Sequence, residues 1–246
     1  MIMKPQIVSL DVKGTNNSSM DEAISRLNVM GAYKDLSTVV ICPGFGTVPT
    51  KIVAAWWSLM FPPNGKVIRV FPLAMEVGEA FSQTIQNVLD HPELKAFKYI
   101  LTLEHDNSPP QDGLVRLLMH MEAHQEFAAI GGLYWTKGPG GVAQIWGDPK
   151  SPDMNYRPQK PVPGQLVECR GVGMGFTLYR TKTFIDKRLR KPWFKTTSSK
   201  EEGCATQDLY FWGDAQKFGY RCAVACDVHV GHYDHEGKFG PPDTMY

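Results

Sequence analysis

Residues 99 to 107 read Tyr99-Ile100-Leu101-Thr102-Leu103-Glu104-His105-Asp106-Asn107. The run from Tyr99 to Leu103 is apolar or β-favouring and predicts a buried strand, which breaks abruptly into Glu104, His105, Asp106 and Asn107 before the turn Ser108-Pro109-Pro110. Acid therefore stands at the carboxyl end of a core strand. Carboxylates are costly to bring beside an apolar sheet unless a cation or hydrogen-bond donors meet them, and open α/β sheets bind ligands beyond the carboxyl ends of their strands. The pattern points to a metal and nucleotide site. Acid at a strand end also serves to cap the next helix, and Asp106 or Ser108 stands where it could do so for a helix beginning near Gln111.

Outward from this stretch the same grammar recurs. Thr38 to Cys42 predicts a core strand, followed by Pro43-Gly44-Phe45-Gly46-Thr47 and a helix from about Pro49 through Met60 with Thr47 as its N-cap. Strand, glycine-bearing loop and helix start form a common anion-binding arrangement, because free backbone N–H groups face the ligand. Neither GxGxxG nor the Walker pattern is present, and Gly44 and Gly46 suit a plain turn equally well. Lys66 to Leu73 predicts a strand, Met75 to Gly78 a loop, and Glu79 to Leu89 a helix stopped by His91-Pro92. Gly113 to His124 is helical, with Leu114, Leu117, Leu118 and Met121 on one face. Phe127 to Leu133, Phe176 to Tyr179 and Arg221 to Cys226 complete the strands. Strands alternating with helices imply right-handed crossovers and an α/β fold: a doubly wound, mainly parallel sheet in a single domain, with its loops on one edge.

Other segments carry weaker signals. Residues 1–36 read as an N-terminal extension packed on the domain, with an edge strand over Gln6 to Val12 and helical spacing through Ile24, Leu27 and Met30, which leaves 37–246 as the main domain. Residues 137–165 are rich in glycine and proline and read as a mobile loop. His120 and His124 lie four apart, but Glu122 is misplaced for HExxH, so they read as surface residues. The run Lys187, Arg188, Arg190, Lys191 is either a solvated face or a seat for a phosphate-bearing partner. Asp208 stands at the head of an aromatic-rich helix, where it suits the helix dipole or presents a general base. Near the end, Asp227, His229 and His232 follow a core strand directly, a credible set of metal ligands made richer by His235.

Composition narrows the classes. Across 246 residues, 43% hydrophobic and 21% charged content is that of a soluble globular protein, and a net charge of +1 predicts no general attraction to nucleic acid or anionic membrane. The five cysteines are odd in number and irregularly spaced, and no apolar signal segment opens MIMKPQ, which points to a reduced, cytoplasmic protein. The Cys222–Cys226 spacing does not match a zinc ribbon. No apolar run approaches the ~20 residues needed to cross a bilayer.

The ordered landmarks VVICPGF, MEVGEAF, LEHDN, GVGMGFTLYR and TQDLYFWGDAQKFGY followed by DVHVGH resemble those of GT-A fold glycosyltransferases, from about Thr38 to about His235. The resemblance implies a metal-dependent transfer of sugar from a nucleotide sugar, with UDP as the nucleotide, to an acceptor hydroxyl, with inversion. By position, Glu104 takes the first place of the family's DxD and Asp106 the second, holding Mn²⁺ or Mg²⁺ against the donor diphosphate. His232 completes the metal site, His229 being the competing candidate, and Asp208 is the base. Pro43, Gly44, Phe45, Thr47, Glu76, Gly173 and Gly175 fall where the donor is contacted. Glutamate at 104 and Gln207 before the base depart from the pattern, and Phe81 and Ser82 stand where many relatives carry a basic residue. Two other readings stay open: a nucleotidyltransferase on a related sheet, and a nucleotide-sugar-binding module without turnover. The acceptor is unspecified; the basic stretch 187–200 leaves room for a nucleic acid.

Overall fold

A computed structural model of the chain describes residues 6–10, 34–62, 65–138, 140–153, 155–199 and 203–233. In chain order the strands are β1 (Gln6–Leu10), β2 (Thr38–Ile41), β3 (Val67–Leu73), β4 (Tyr99–Leu103), β5 (Asn107–Ser108), β6 (Phe127–Leu133) and β7 (Ile145–Trp146). They continue as β8 (Leu166–Cys169), β9 (Gly171–Val172), β10 (Phe176–Arg180), β11 (Thr197–Ser199), β12 (Gly203–Ala205), β13 (Arg221–His229) and β14 (Gly231–His232). The helices are α1 (Thr50–Ser58), α2 (Val77–Asp90), α3 (Gly113–Ala123), the single turn α4 (Lys182–Ile185) and α5 (Gln207–Ala215).

Eight strands form one sheet in the order β1-β3-β2-β4-β10-β6-β13-β8. Strands β3, β2, β4, β6 and β13 run one way, and β1, β10 and β8 run against them. The sheet is thus more mixed than alternation alone suggests, because a short apolar run carries no mark of its direction. Successive strand residues face opposite sides, and both sides are covered. Val39, Ile41 and Ile100 pack with Phe81 and Ile85 of α2 and with Phe211 and Trp212 of α5. Val40, Tyr99, Leu101 and Leu103 pack with Leu114, Leu117 and Met121 of α3. Burial on both faces is why these strands read as unbroken apolar runs.

A buried arginine ties sheet to helix. Arg180, at the end of β10, donates to the carbonyls of Phe127 (2.9 Å), His124 (3.2 Å) and Met121 around the end of α3. The unpaired carbonyls of a helix C-terminus favour such a cation.

Two helix starts differ from expectation. Pro49 stands at the N-cap of α1 with no side-chain cap bond, so Thr47 does not cap it. Asp112 stands at the N-cap of α3, so neither Asp106 nor Ser108 does. Within 137–165, among the described residues, β7 pairs with β9, Ala143 bridges Trp135, and Gln159 donates to the Gly147 and Glu168 carbonyls at 2.9 and 3.0 Å. Of the first 33 residues only β1 is described, paired antiparallel with β3 from Gln6↔Leu73 to Leu10↔Arg69. The helical spacing ending at Met30 and His235 lie outside the described residues. Cys42, Cys169, Cys222 and Cys226 are buried free thiols. No helix among the described residues is long and apolar enough to cross a membrane.

Candidate active site

The end of β4 is where distant segments meet. Because β10 runs antiparallel to β4 with Phe176 opposite Leu103, the incoming turn Gly173-Met174-Gly175 lies at the outgoing end of β4. There the Glu104 N–H donates to the Gly175 carbonyl at 3.1 Å. The chain then pairs β5 with β14, Gly231 opposite Ser108 and His232 opposite Asn107. The Tyr233 N–H donates to the Asp106 carbonyl at 2.7 Å, and the Asn107 amide to the Gly231 carbonyl at 3.3 Å. This short ladder brings a mid-chain acid and a late histidine to one place.

At the ladder, Nε2 of His232 lies 3.7 Å from Oδ2 of Asp106. Nδ1 of His232 is 2.6 Å from the Trp135 carbonyl. A carbonyl only accepts, so Nδ1 carries the proton and, in the neutral ring, Nε2 presents its lone pair on the side of Asp106. That second-sphere bond to a carbonyl is the arrangement found behind metal-bound histidines. The ring edge of Tyr134 packs against His232 at 5.5 Å. Nζ of Lys137 sits 2.5 Å from Asp106 Oδ2, while Oδ1 is buried with no hydrogen-bond partner among the described residues. Burial pushes the Asp106 carboxyl up, but the His232 ring, when protonated on both nitrogens, and the Lys137 ammonium outweigh it and hold the group well below the usual carboxylate range.

Two further carboxylates face this region. Asp208, Phe211 and Trp212 share one side of α5, and the two buried aromatics fix that side against the sheet. Asp208 is therefore turned inward at the helix start and is 6% exposed. Its Oδ1 accepts from the Leu209 N–H at 2.9 Å and from the Thr206 hydroxyl. Burial raises its proton affinity against these two bonds. Glu104 is pushed up to about 8, first by burial and then by the charges of Asp106 and Asp208, with Lys137 opposing. The glycines are required by close approach: a Cβ at Gly173 would stand 2.1 Å from the Tyr134 hydroxyl, and at Gly175 2.6 Å from Asn107 Oδ1. The Tyr134 hydroxyl accepts the Gly175 N–H at 2.9 Å, and burial raises its own proton affinity.

The remaining sequence candidates divide. Gly44 follows Pro43 and uses its backbone within the sheet, its N–H donating to the Pro72 carbonyl and its carbonyl accepting from Ala74. Phe45 is 68% exposed, its ring edge-on to His105 at 6.1 Å, and therefore flanks the acidic turn. Glu76 caps α2 by accepting from the Glu79 N–H at 2.9 Å, and takes the Thr196 hydroxyl at 3.0 Å. His229 lies in β13, its Nδ1 buried with no hydrogen-bond partner among the described residues. Among the described residues no three histidine, cysteine or acidic side chains gather as a metal cluster. Asp227 is turned away toward α3, where it meets His120 at 2.9 Å. Arg188 pairs with Asp186, Arg190 stacks 3.3 Å from the Tyr210 ring centroid, and Lys191 meets Gln86 at 2.5 Å, so much of the basic run is engaged within the chain. Lys137, Trp135 and Tyr134 were missed by sequence reading. The only signal was a lysine following two aromatics at the end of a buried strand.

The class defined by this sheet order and its helical layers is an α/β, GT-A-like fold in one domain. No family model matches the chain, and no curated protein sequence does. Among solved structures the chain is similar to A197 from STIV, at 14% identity and a TM-score of 0.57, over 81% of this chain and 87% of that one. It is also similar to GalNAc-T7 solved with UDP, GalNAc and Mn²⁺, at 12% identity and a TM-score of 0.54, over 80% of this chain and 44% of that one. The likeness is one of fold.

Proposed function

We propose that the chain is a metal-dependent glycosyltransferase that moves a sugar from a nucleotide sugar to an acceptor hydroxyl with inversion. The observation that carries this reading is the β5–β14 ladder, which sets His232 Nε2 3.7 Å from Asp106 Oδ2 at the carboxyl edge of the sheet. Two donors fit a divalent ion: a carboxylate with one buried oxygen that has no hydrogen-bond partner among the described residues, and an imidazole whose other nitrogen is bound to a carbonyl, while the Lys137 ammonium marks the carboxylate as a seat for positive charge. Oxygen and imidazole donors suit Mn²⁺ or Mg²⁺, and a similar fold was solved with UDP, GalNAc and Mn²⁺. A metal held by Asp106 and His232 would supply Lewis-acid neutralisation of the departing diphosphate.

The chain's own groups perform the rest. The Thr206 and Leu209 hydrogen bonds to Asp208 fall on Oδ1, and Oδ2 is the oxygen to which this reading gives the proton of the acceptor hydroxyl. The glycines of the buried turn Gly173-Met174-Gly175 leave room for the Tyr134 hydroxyl and the Asn107 side chain, so the turn supports the site from within. Phe45 and His105 offer aromatic faces at the rim.

Incubation with UDP-sugars and Mn²⁺ is expected to release UDP, and Asp106→Ala to abolish release. Asp208→Asn is expected to lower kcat by about 10²–10⁴-fold with UDP affinity unchanged. Undiminished turnover in EDTA would sink the metal-dependent reading. Pyrophosphate as the product would indicate a nucleotidyltransferase, and UDP binding without any product a binding module.

A further inference from the structure

The tripeptide Trp135-Thr136-Lys137 holds both groups on which the preceding reading rests. The Trp135 carbonyl takes the His232 Nδ1 proton at 2.6 Å, and two residues on the Lys137 ammonium sits 2.5 Å from Asp106 Oδ2. The ammonium is the more accessible partner, its side chain 37% exposed against 17% for Asp106. Its backbone belongs to a narrow hairpin, in which Trp135 bridges Ala143, the Thr136 N–H donates to the Val142 carbonyl at 2.9 Å and the Val142 N–H to the Thr136 hydroxyl at 2.9 Å. Gly138 and Gly140 lie beyond Lys137 at φ +88° and +74°, with open space where a Cβ would stand. The hairpin base is therefore fixed, the far end is closed among the described residues by the Gly141 N–H donating to the Gly138 carbonyl at 3.2 Å, and the ion pair of Lys137 with Asp106 joins that end to the acidic turn.

We propose that Lys137 is the protein's own counter-ion for Asp106, competing with a divalent cation for the same carboxylate, so that entry of the cation releases the glycine-bearing tip. The inference rests on Asp106 being a cation ligand. It adds a coupling: the segment that orients His232 through the Trp135 carbonyl also brings the Lys137 ammonium to Asp106. Lysine suits the role, since its ammonium is a flexible point charge that detaches singly, whereas arginine would grip the carboxylate with a planar fork.

The test is calorimetric titration of MnCl₂ into wild type, Lys137→Met, Lys137→Arg and Asp106→Asn, with hydrogen exchange followed over 136–142. Competition predicts Mn²⁺ affinity about tenfold tighter in Lys137→Met, equivalent to ~1.4 kcal/mol, and weaker in Lys137→Arg. It also predicts that Mn²⁺ speeds tip exchange in wild type, and that exchange in Lys137→Met is already fast without it. Unchanged or weaker Mn²⁺ binding in Lys137→Met, with binding lost in Asp106→Asn, would overturn the competition and leave the metal site standing. No Asp106-dependent Mn²⁺ binding in wild type or Lys137→Met would overturn both. Lys137 is exposed, so these variants are expected to fold; Lys137→Arg keeps the charge as a further check.

Discussion

Glu104 is held at the meeting point of two other carboxylates, and its proton affinity records this. Burial first, then Asp106 and Asp208, push its carboxyl up to about 8, with Lys137 pulling the other way. In the unfolded chain a glutamate titrates near ~4.3. Between these values the folded state keeps a proton that the unfolded state has lost, so stability falls as pH rises through the window. Glutamine removes the titration. The melting temperature of Glu104→Gln is therefore expected to rise relative to wild type as pH goes from 5 to 8, read by scanning calorimetry in EDTA. Parallel pH profiles for the two proteins would show that Glu104 is not held neutral. At this scale Asp106 and Asp208 are singled out by the sequence because β4 and α5 are marked out by their periodicity, whereas His232 is distinguished from His229 only by the resemblance. Lys137 is not singled out, because nothing local distinguishes a lysine that reaches an acid from one that faces water.

Among the elements, β10 has the most consequence. Its antiparallel course places the glycine turn against Glu104 at one end and Arg180 under α3 at the other. Arg180→Met would strip the Phe127, Met121 and His124 carbonyls of their donor in a buried setting. We expect a loss of about 3 kcal/mol, seen as a lower urea midpoint at unchanged m-value, with Lys recovering only part. A loss below ~0.5 kcal/mol would mean that water replaces the guanidinium without cost. The strands themselves were legible, because runs buried on both faces leave an unbroken apolar signature. Their directions and neighbours were not. The two-residue strands β5 and β14, too short to carry any period, are the pieces that assemble the candidate metal pair.

For the molecule as a whole, the candidate site draws on segments from β2 to β14, so a ligand bound there should resist global unfolding. With UDP and Mn²⁺ together at a hundred times their dissociation constant, linkage gives about 2.7 kcal/mol. For a chain of this size that is a melting shift of about 5–10 °C. Asp106→Ala should abolish the part that depends on Mn²⁺. A shift equal in the presence and absence of Mn²⁺ would argue against a shared site.

Residue order alone determined the α/β class, the central place of Tyr99–Leu103 and the presence of acid at its end, since burial periodicity and strand-ending polarity are local properties. Only the tertiary structure decided that β10 and β8 run against their neighbours, that Asp227 turns to His120 while His232 turns to Asp106, and that a lysine from the hairpin tip completes the cluster. Pairing between segments far apart in the chain depends on the mutual fit of whole layers, and no single stretch of residues encodes it.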